Sequence, residues 1–201
     1  MIPSVRARWA DLSPDGGPIT IEDLLALPED RWRYELVHGR LKPRPPADMR
    51  YAMIAGGLAD AMRLWVRQTD TGGVMLIETG FVVSEPSELD TVYVAAVAYV
   101  GGERRVAGDG SAGDDSIRLV PTLVVEIGAP GQSRTALAER AARWLVAGVR
   151  LVWTVWPAHR QVDVWTLGLS GPQILTYAVH ETLKDMAELV GFKYPVAHVF
   201  V

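Results

Sequence analysis

The stretch LVVEIGAPGQSRTALAERAARWLVAGVRLVWTV, residues 123–155, decides the fold. Residues 123–127 are apolar except for Glu126, as suits a strand covered on both faces. Gly128-Ala129-Pro130-Gly131 breaks that pattern. The next periodic segment, residues 135–147, sets Leu137, Ala141, Trp144 and Leu145 on one helical face, and Gly148 supplies its stop. Residues 151–155 return to a strand pattern. Strand, helix and strand in this order predict a βαβ-like unit with parallel strands.

Toward the N-terminus, residues 91–100 are nearly all apolar or β-branched and predict a central strand. Residues 74–77 and 81–83 predict strand segments on either side of Glu78-Thr79-Gly80. From Met49 onward, Ile54, Leu58, Ala61, Met62 and Trp65 recur at the spacing of an amphipathic helix, broken by Gly72-Gly73. Residues 34–37 and 40–42 flank His38-Gly39, where glycine provides the positive φ of a hairpin turn. Thr20 and Asp23 form a capping arrangement for a short first helix that Pro28 ends.

Residues 161–166 and 174–179 predict further strands, and residues 189–200 a packed tail. Residues 101–116 hold five glycines and four acids without periodicity, and predict a mobile surface loop. The sum is a mixed, curved α/β sheet with flanking helices. At 201 residues and 49% hydrophobic, one domain is expected, spanning residues 20–201 behind an extension at 1–19.

The absence of cysteine excludes disulfides, thiolate metal sites and cysteine nucleophiles. No apolar run reaches the ~18 residues of a membrane helix, so a cytoplasmic protein without membrane contact is expected. A net charge of −4 disfavours nonspecific coating of nucleic acid but permits a local basic patch. The only lysines are Lys42, Lys184 and Lys193, so residues 43–183 contain no primary amine. His38, His159, His180 and His198 show no ligand spacing. Trp144, Trp153 and Trp156 fall in segments the pattern buries, which favours core packing over a base-stacking platform.

The ordered motifs resemble those of the Uma2 (DUF820) group of PD-(D/E)XK, restriction-endonuclease-like proteins. They are Leu24-Leu25-Ala26-Leu27-Pro28 with Tyr34-Glu35-Leu36-Val37-His38-Gly39, Glu78-Thr79-Gly80-Phe81, residues 91–100, Leu123-Val124-Val125-Glu126-Ile127, Ala147-Gly148-Val149 with Val152-Trp153, and Gly191-Phe192 before Phe200. The resemblance covers roughly residues 20–200. It implies a restriction-endonuclease-like curved sheet, Mg²⁺-dependent phosphodiester hydrolysis, DNA as partner and a homodimer. In such a site, carboxylates on neighbouring strands hold a hard cation that acidifies a water, and a lysine steadies the developing charge.

Several positions depart from the pattern that the resemblance implies. Its Pro-Asp aligns with Ala95 and Ala96, so the metal-binding aspartate is replaced by Ala96. Position 128 is Gly128 instead of lysine, and the helix position that supplies a lysine elsewhere is Arg140. The histidine at the head of the long helix is Tyr51. Glu126 and Glu35 match the remaining acids, and Glu78 is a further candidate metal ligand beside Glu126. Arginine stays protonated, so Arg140 could serve an electrostatic role and not a base.

Plain structural roles compete at each position. Glu126 would be a salt bridge with Arg140 or Arg143, Glu35 a solvent-facing hairpin glutamate, Glu78 a surface or edge-strand acid, Arg140 an exposed helix arginine, and Tyr51 a packing residue. The expectation is a nuclease-like protein with impaired or lost hydrolysis, Mg²⁺ being its cofactor if active. One rival is an active nuclease using Glu35, Glu78 and Glu126 around one metal with Arg140 facing phosphate. Another is a non-enzymatic interaction or regulatory module on the same fold.

Overall fold

The computed structural model describes residues 16–27, 34–44, 46–85, 87–107 and 118–200. Residues 1–15 of the expected extension, Pro28, and residues 108–116 of the expected loop lie outside the described residues. The chain runs α1 (Ile21–Leu25), β1 (Tyr34–Leu36), β2 (Leu41–Pro43), α2 (Met49–Thr69), β3 (Val74–Val82), β4 (Val92–Val100), α3 (Gly102–Ala107), β5 (Leu123–Ile127), α4 (Arg134–Val146), β6 (Leu151–Trp156), β7 (Gln161–Gly168), β8 (Gly171–Ala178), β9 (Thr182–Leu183), β10 (Tyr194–Pro195) and α5 (Val196–Val199).

The 123–155 reading holds: β5 and β6 are parallel neighbours, with Val125 opposite Trp153, and α4 connects them. The capping box at α1 is also present, with the Asp23 amide donating to Thr20 Oγ1 and the Thr20 amide to the Asp23 carboxylate. Two expectations need correction. Residues 74–82 form one strand, in which Glu78 adopts a left-handed backbone (φ +50°) and is skipped by the β4 ladder, which resumes in the same register at Thr79–Ala95. The segment expected to be a loop starts with a helical turn, α3, whose Arg104 donates to the carbonyls of Val120, Pro121 and Gly148.

The main sheet has eight strands and is forked at β4. Val92 pairs with Leu36 of β1 and with Val82 of β3, while Val97 pairs with Ile77 of β3 and with Val125 of β5. A strand residue has only two edges, so β3 lies along one side of β4 and β1 and β5 share the other. Between Val92 and Val97 that shared edge carries no strand. The functional cleft opens there.

Helices cover both faces. Ile54, Leu58, Met62 and Trp65 of α2 pack with Val97, Tyr99, Val125 and Trp153, joined by Leu189, Phe192, Val196 and Val199 from the packed tail. On the opposite face Ala141, Trp144 and Leu145 of α4 pack with Ala95, Ala98, Val124 and Val152. Trp144 and Trp153 are wholly buried, which places them in the core as expected. Each fully buried side chain of this size contributes roughly 1.5–3 kcal/mol. A third cluster seats α1 on the β1–β2 hairpin through Leu24, Leu36 and Leu41.

Candidate functional site

Glu126 sits on a strand buried on both faces and follows Val124 in pointing toward α4. A carboxylate there requires partners. Its Oε1 accepts from Trp144 Nε1 at 2.6 Å and from Arg140 Nη2 at 2.8 Å. Both donors come from α4, four residues apart, which is the spacing that brings helix side chains to one side.

Arg140 reaches further. Its Nη1 donates to Glu35 Oε2 at 2.8 Å and its Nη2 to Glu35 Oε1 at 2.9 Å, a bidentate pair across the fork. Glu35 Oε1 also accepts the Val94 amide at 2.9 Å, the backbone donor that the fork leaves without a strand. The guanidinium carbon lies 4.1 Å above the Tyr93 ring, adding a cation–π contact. Arg140 therefore clamps β1 to β5 where no ladder joins them. The salt-bridge reading of Glu126 is observed with Arg140; Arg143 instead pairs with Glu88. The solvent-facing reading of Glu35 and the exposed reading of Arg140 are corrected: their side chains are only 12% and 18% exposed.

A second node lies beside it. Glu78 Oε2 accepts from Arg44 Nη1 at 2.7 Å, and Glu78 Oε1 accepts a short hydrogen bond from the Tyr51 hydroxyl. Tyr51 is in the first turn of α2, whose N-cap Asp48 accepts the Tyr51 amide. Tyr51 is thus a site donor and not only a packing residue.

These groups line one cavity of about 930 Å³, which contains Glu35, Tyr51, Glu78, Glu126, Gly128 and Arg140 together. Ala96 is buried, does not line this cavity, and packs in the α2-side core. It stands opposite Glu78 in the β3–β4 register, and one residue beyond the Val97–Val125 pair the two strands reach Ala96 and Glu126. Asp90 takes no part, since its carboxylate accepts the Ile21 amide at 2.8 Å. Gly128 is closed by packing: a Cβ there would lie 3.2 Å from the Trp156 ring and 3.3 Å from the Val155 carbonyl oxygen.

Electrostatics follow from burial and charge. Burial pushes the Glu126 carboxyl upward; Arg140 opposes this and Glu35 adds to it. Burial works against the Arg140 charge, but Glu126 and Glu35 outweigh it and raise its pKa. Burial, then the Glu78 carboxylate, raises the Tyr51 phenol far above its ordinary range, so it remains a donor.

A hard dication needs several converging oxygens whose charge is not already neutralised. Here each acid holds a guanidinium, and Ala96 offers no oxygen. Among the described residues, no group of three or more His, Asp or Glu side chains is placed to hold a metal. This residue set does not fit Mg²⁺.

Sequence reasoning missed Arg44, Tyr93, Lys42 and the Val94 amide. Lys42 lines the cavity, which corrects the expectation that the scarcity of lysine leaves no amine nearby. The signal was present in the hairpin, because Lys42 pairs directly with Glu35 and so shares its face.

No curated protein matches the chain. Its fold is similar to a crystal structure described as "a putative nuclease belonging to DUF820" from Anabaena variabilis, with TM-score 0.70 and 16% identity over 91% of this chain and 98% of that one. The sequence profile of the Uma2 family, described as "Putative restriction endonuclease", matches residues 21–197, and on that extent the chain belongs to the Uma2 family.

Proposed function

We propose that this chain is a Uma2-type restriction-endonuclease-like protein in which Mg²⁺-dependent phosphodiester hydrolysis is impaired or lost. The carrying observation is the Arg140 clamp: one guanidinium holds Glu35 and Glu126 at 2.8–2.9 Å. The family implies divalent-metal use and nucleic-acid substrates in general. In this chain those two acids bind an internal cation, Arg44 holds the third, and position 96 offers no oxygen. The same residues give the cleft a fixed ionic floor that joins β1, β4 and β5.

Plasmid incubated with the purified protein and Mg²⁺ or Mn²⁺ tests the reading. No metal-dependent nicking is expected; nicking that disappears in Glu126→Ala would instead establish the active-nuclease alternative.

The alternative of a non-enzymatic interaction module, with a second copy of the chain as partner, is favoured by one observation. β8 ends the sheet, carries no charged residue, and leaves Ile174 and Leu175 exposed on opposite faces. An uncharged, apolar edge is a template for strand pairing. Light scattering should find a dimer that Leu175→Lys disrupts, and a monomeric wild type would eliminate this reading.

A further inference from the structure

The Arg140 guanidinium is held in the way a protein holds a ligand. Its two terminal nitrogens make three charge-assisted hydrogen bonds of 2.8–2.9 Å to acids on β1 and β5, strands that no ladder joins. The Tyr93 ring closes one face of the guanidinium plane at 4.1 Å. The walls around it are fixed by groups other than Arg140. The Val94 amide donates to Glu35 Oε1, and the wholly buried Trp144 donates to Glu126 Oε1. The Leu36–Val92 pair holds β1 against β4 one residue beyond Glu35. The pocket therefore keeps its walls when the guanidinium is taken away.

The form of these walls discriminates among cations. A guanidinium is planar and weakly hydrated, matches a carboxylate through two parallel N–H bonds, and stacks on an aromatic face. An ammonium is a strongly hydrated point charge that lacks the fork. A small dication requires octahedral oxygens and surrenders its waters reluctantly. Here two carboxylates converge, one oxygen of each already accepts a fixed N–H, and the third wall is the Tyr93 ring. Each of those features suits a guanidinium better than a metal ion.

We propose that the fork is a guanidinium-binding pocket whose ligand, Arg140, is tethered, so that a free alkylguanidinium takes the place when the tether is cut and a divalent ion does not. The inference rests on the reading that hydrolysis is impaired or lost, and deepens it by naming the cation that Glu35 and Glu126 are arranged to hold. Its consequence for the fold is that the β1–β5 junction closes without any metal supply. A side chain cannot dissociate, so the pocket stays filled in the native chain at any ionic composition.

The test cuts the tether and offers the missing fragment back. Arg140→Ala removes the atoms of ethylguanidinium, so its melting temperature is followed in EDTA with ethylguanidinium chloride, in EDTA with ethylammonium chloride, and in Mn²⁺ without EDTA. The variant should melt well below wild type, and ethylguanidinium at low millimolar concentration should raise it in a saturable way, because a ligand bound only by the folded state stabilises that state. Ethylguanidinium should bind about tenfold or more tightly than ethylammonium, the factor expected for one charge-assisted hydrogen bond. Wild type, with its pocket full, should melt alike in all three solutions, and Arg140→Ala combined with Glu35→Gln should lose the response. If Arg140→Ala is unfolded at room temperature, its refolding with ethylguanidinium becomes the readout, and recovery of helical circular dichroism supports the pocket while failure counts against it. The proposal is overturned if ethylguanidinium gives no saturable rise, if ethylammonium or Mn²⁺ does as well, or if the Glu35→Gln combination responds equally. Metal-dependent nicking by wild type, with the guanidinium preference of Arg140→Ala intact, would sink only the reading of lost hydrolysis.

Discussion

The β3–β4 register sets Glu78 across from Ala96 at the position the ladder leaves unpaired, with the Glu78 backbone in the left-handed region while the flanking pairs Ile77–Val97 and Thr79–Ala95 keep their register. The faces change at this point. Tyr93 and Ala95 pack with the α4 layer, as does Ala98, whereas Ala96, Val97 and Tyr99 pack with the α2 layer. Strict alternation would have kept residues 93, 95, 97 and 99 together. The Glu78 side chain meets Arg44 and Tyr51, and the Ala96 methyl stays in the α2-side core.

Ala96→Asp should add a buried carboxylate at the position the register sets across from Glu78. Buried without a partner it should cost at least about 1–3 kcal/mol in EDTA. Mn²⁺ should recover part of that loss, because a ligand bound only by the folded state stabilises it. Calorimetry should show increased divalent affinity, alone or with Gly128→Lys. The second substitution adds about 1–3 kcal/mol of overpacking against Trp156. Unchanged metal affinity in both variants would mean that position 96 is not part of the site.

Arg140→Ala should destabilise the protein by about 3–5 kcal/mol in urea unfolding, since it strands two largely buried carboxylates. Arg140→Lys keeps the charge but not the fork, and should lose about 1.5–3 kcal/mol for a charge-assisted hydrogen bond. Equal stability of wild type and Arg140→Ala would show that the clamp contributes nothing to folding.

Tyr51 should titrate well above the ordinary tyrosine range, because burial and then the Glu78 carboxylate disfavour its phenolate. A raised folded pKa means that the neutral phenol stabilises the fold below the ordinary tyrosine range, and that this contribution is lost as pH rises through the folded value. Phenolate absorbance in an alkaline titration, compared with Tyr51→Phe, should show one late-titrating group missing from the variant. The same substitution should cost about 1–3 kcal/mol by leaving part of Glu78 unsatisfied.

Glu126 should titrate above the usual carboxylate range. Because burial raises its folded pKa, its protonated form favours folding below the ordinary value, and that stabilisation is lost as pH rises through the folded one. Melting temperature against pH should fall across this window for the wild type and be flatter for Glu126→Gln. Carboxyl NMR of Glu126 would check the assignment, and a value at or below the ordinary range would refute it.

The βαβ unit, the long helix, the hairpin and the capping box were legible because each rests on local periodicity or on a few adjacent side chains. Residues 123–155 determined two parallel strands and a crossover helix by pattern alone. The sequence also showed that residue 96 is an alanine and residue 128 a glycine, so these two departures from the family-like pattern were readable before any fold was known.

What tertiary structure decided was where charges go. Glu35, Glu126 and Arg140 are separated by up to 105 residues, and only the fork at β4 brings them within hydrogen-bonding distance. The left-handed turn at Glu78 escaped the sequence because one backbone angle in a continuous strand leaves no periodic trace.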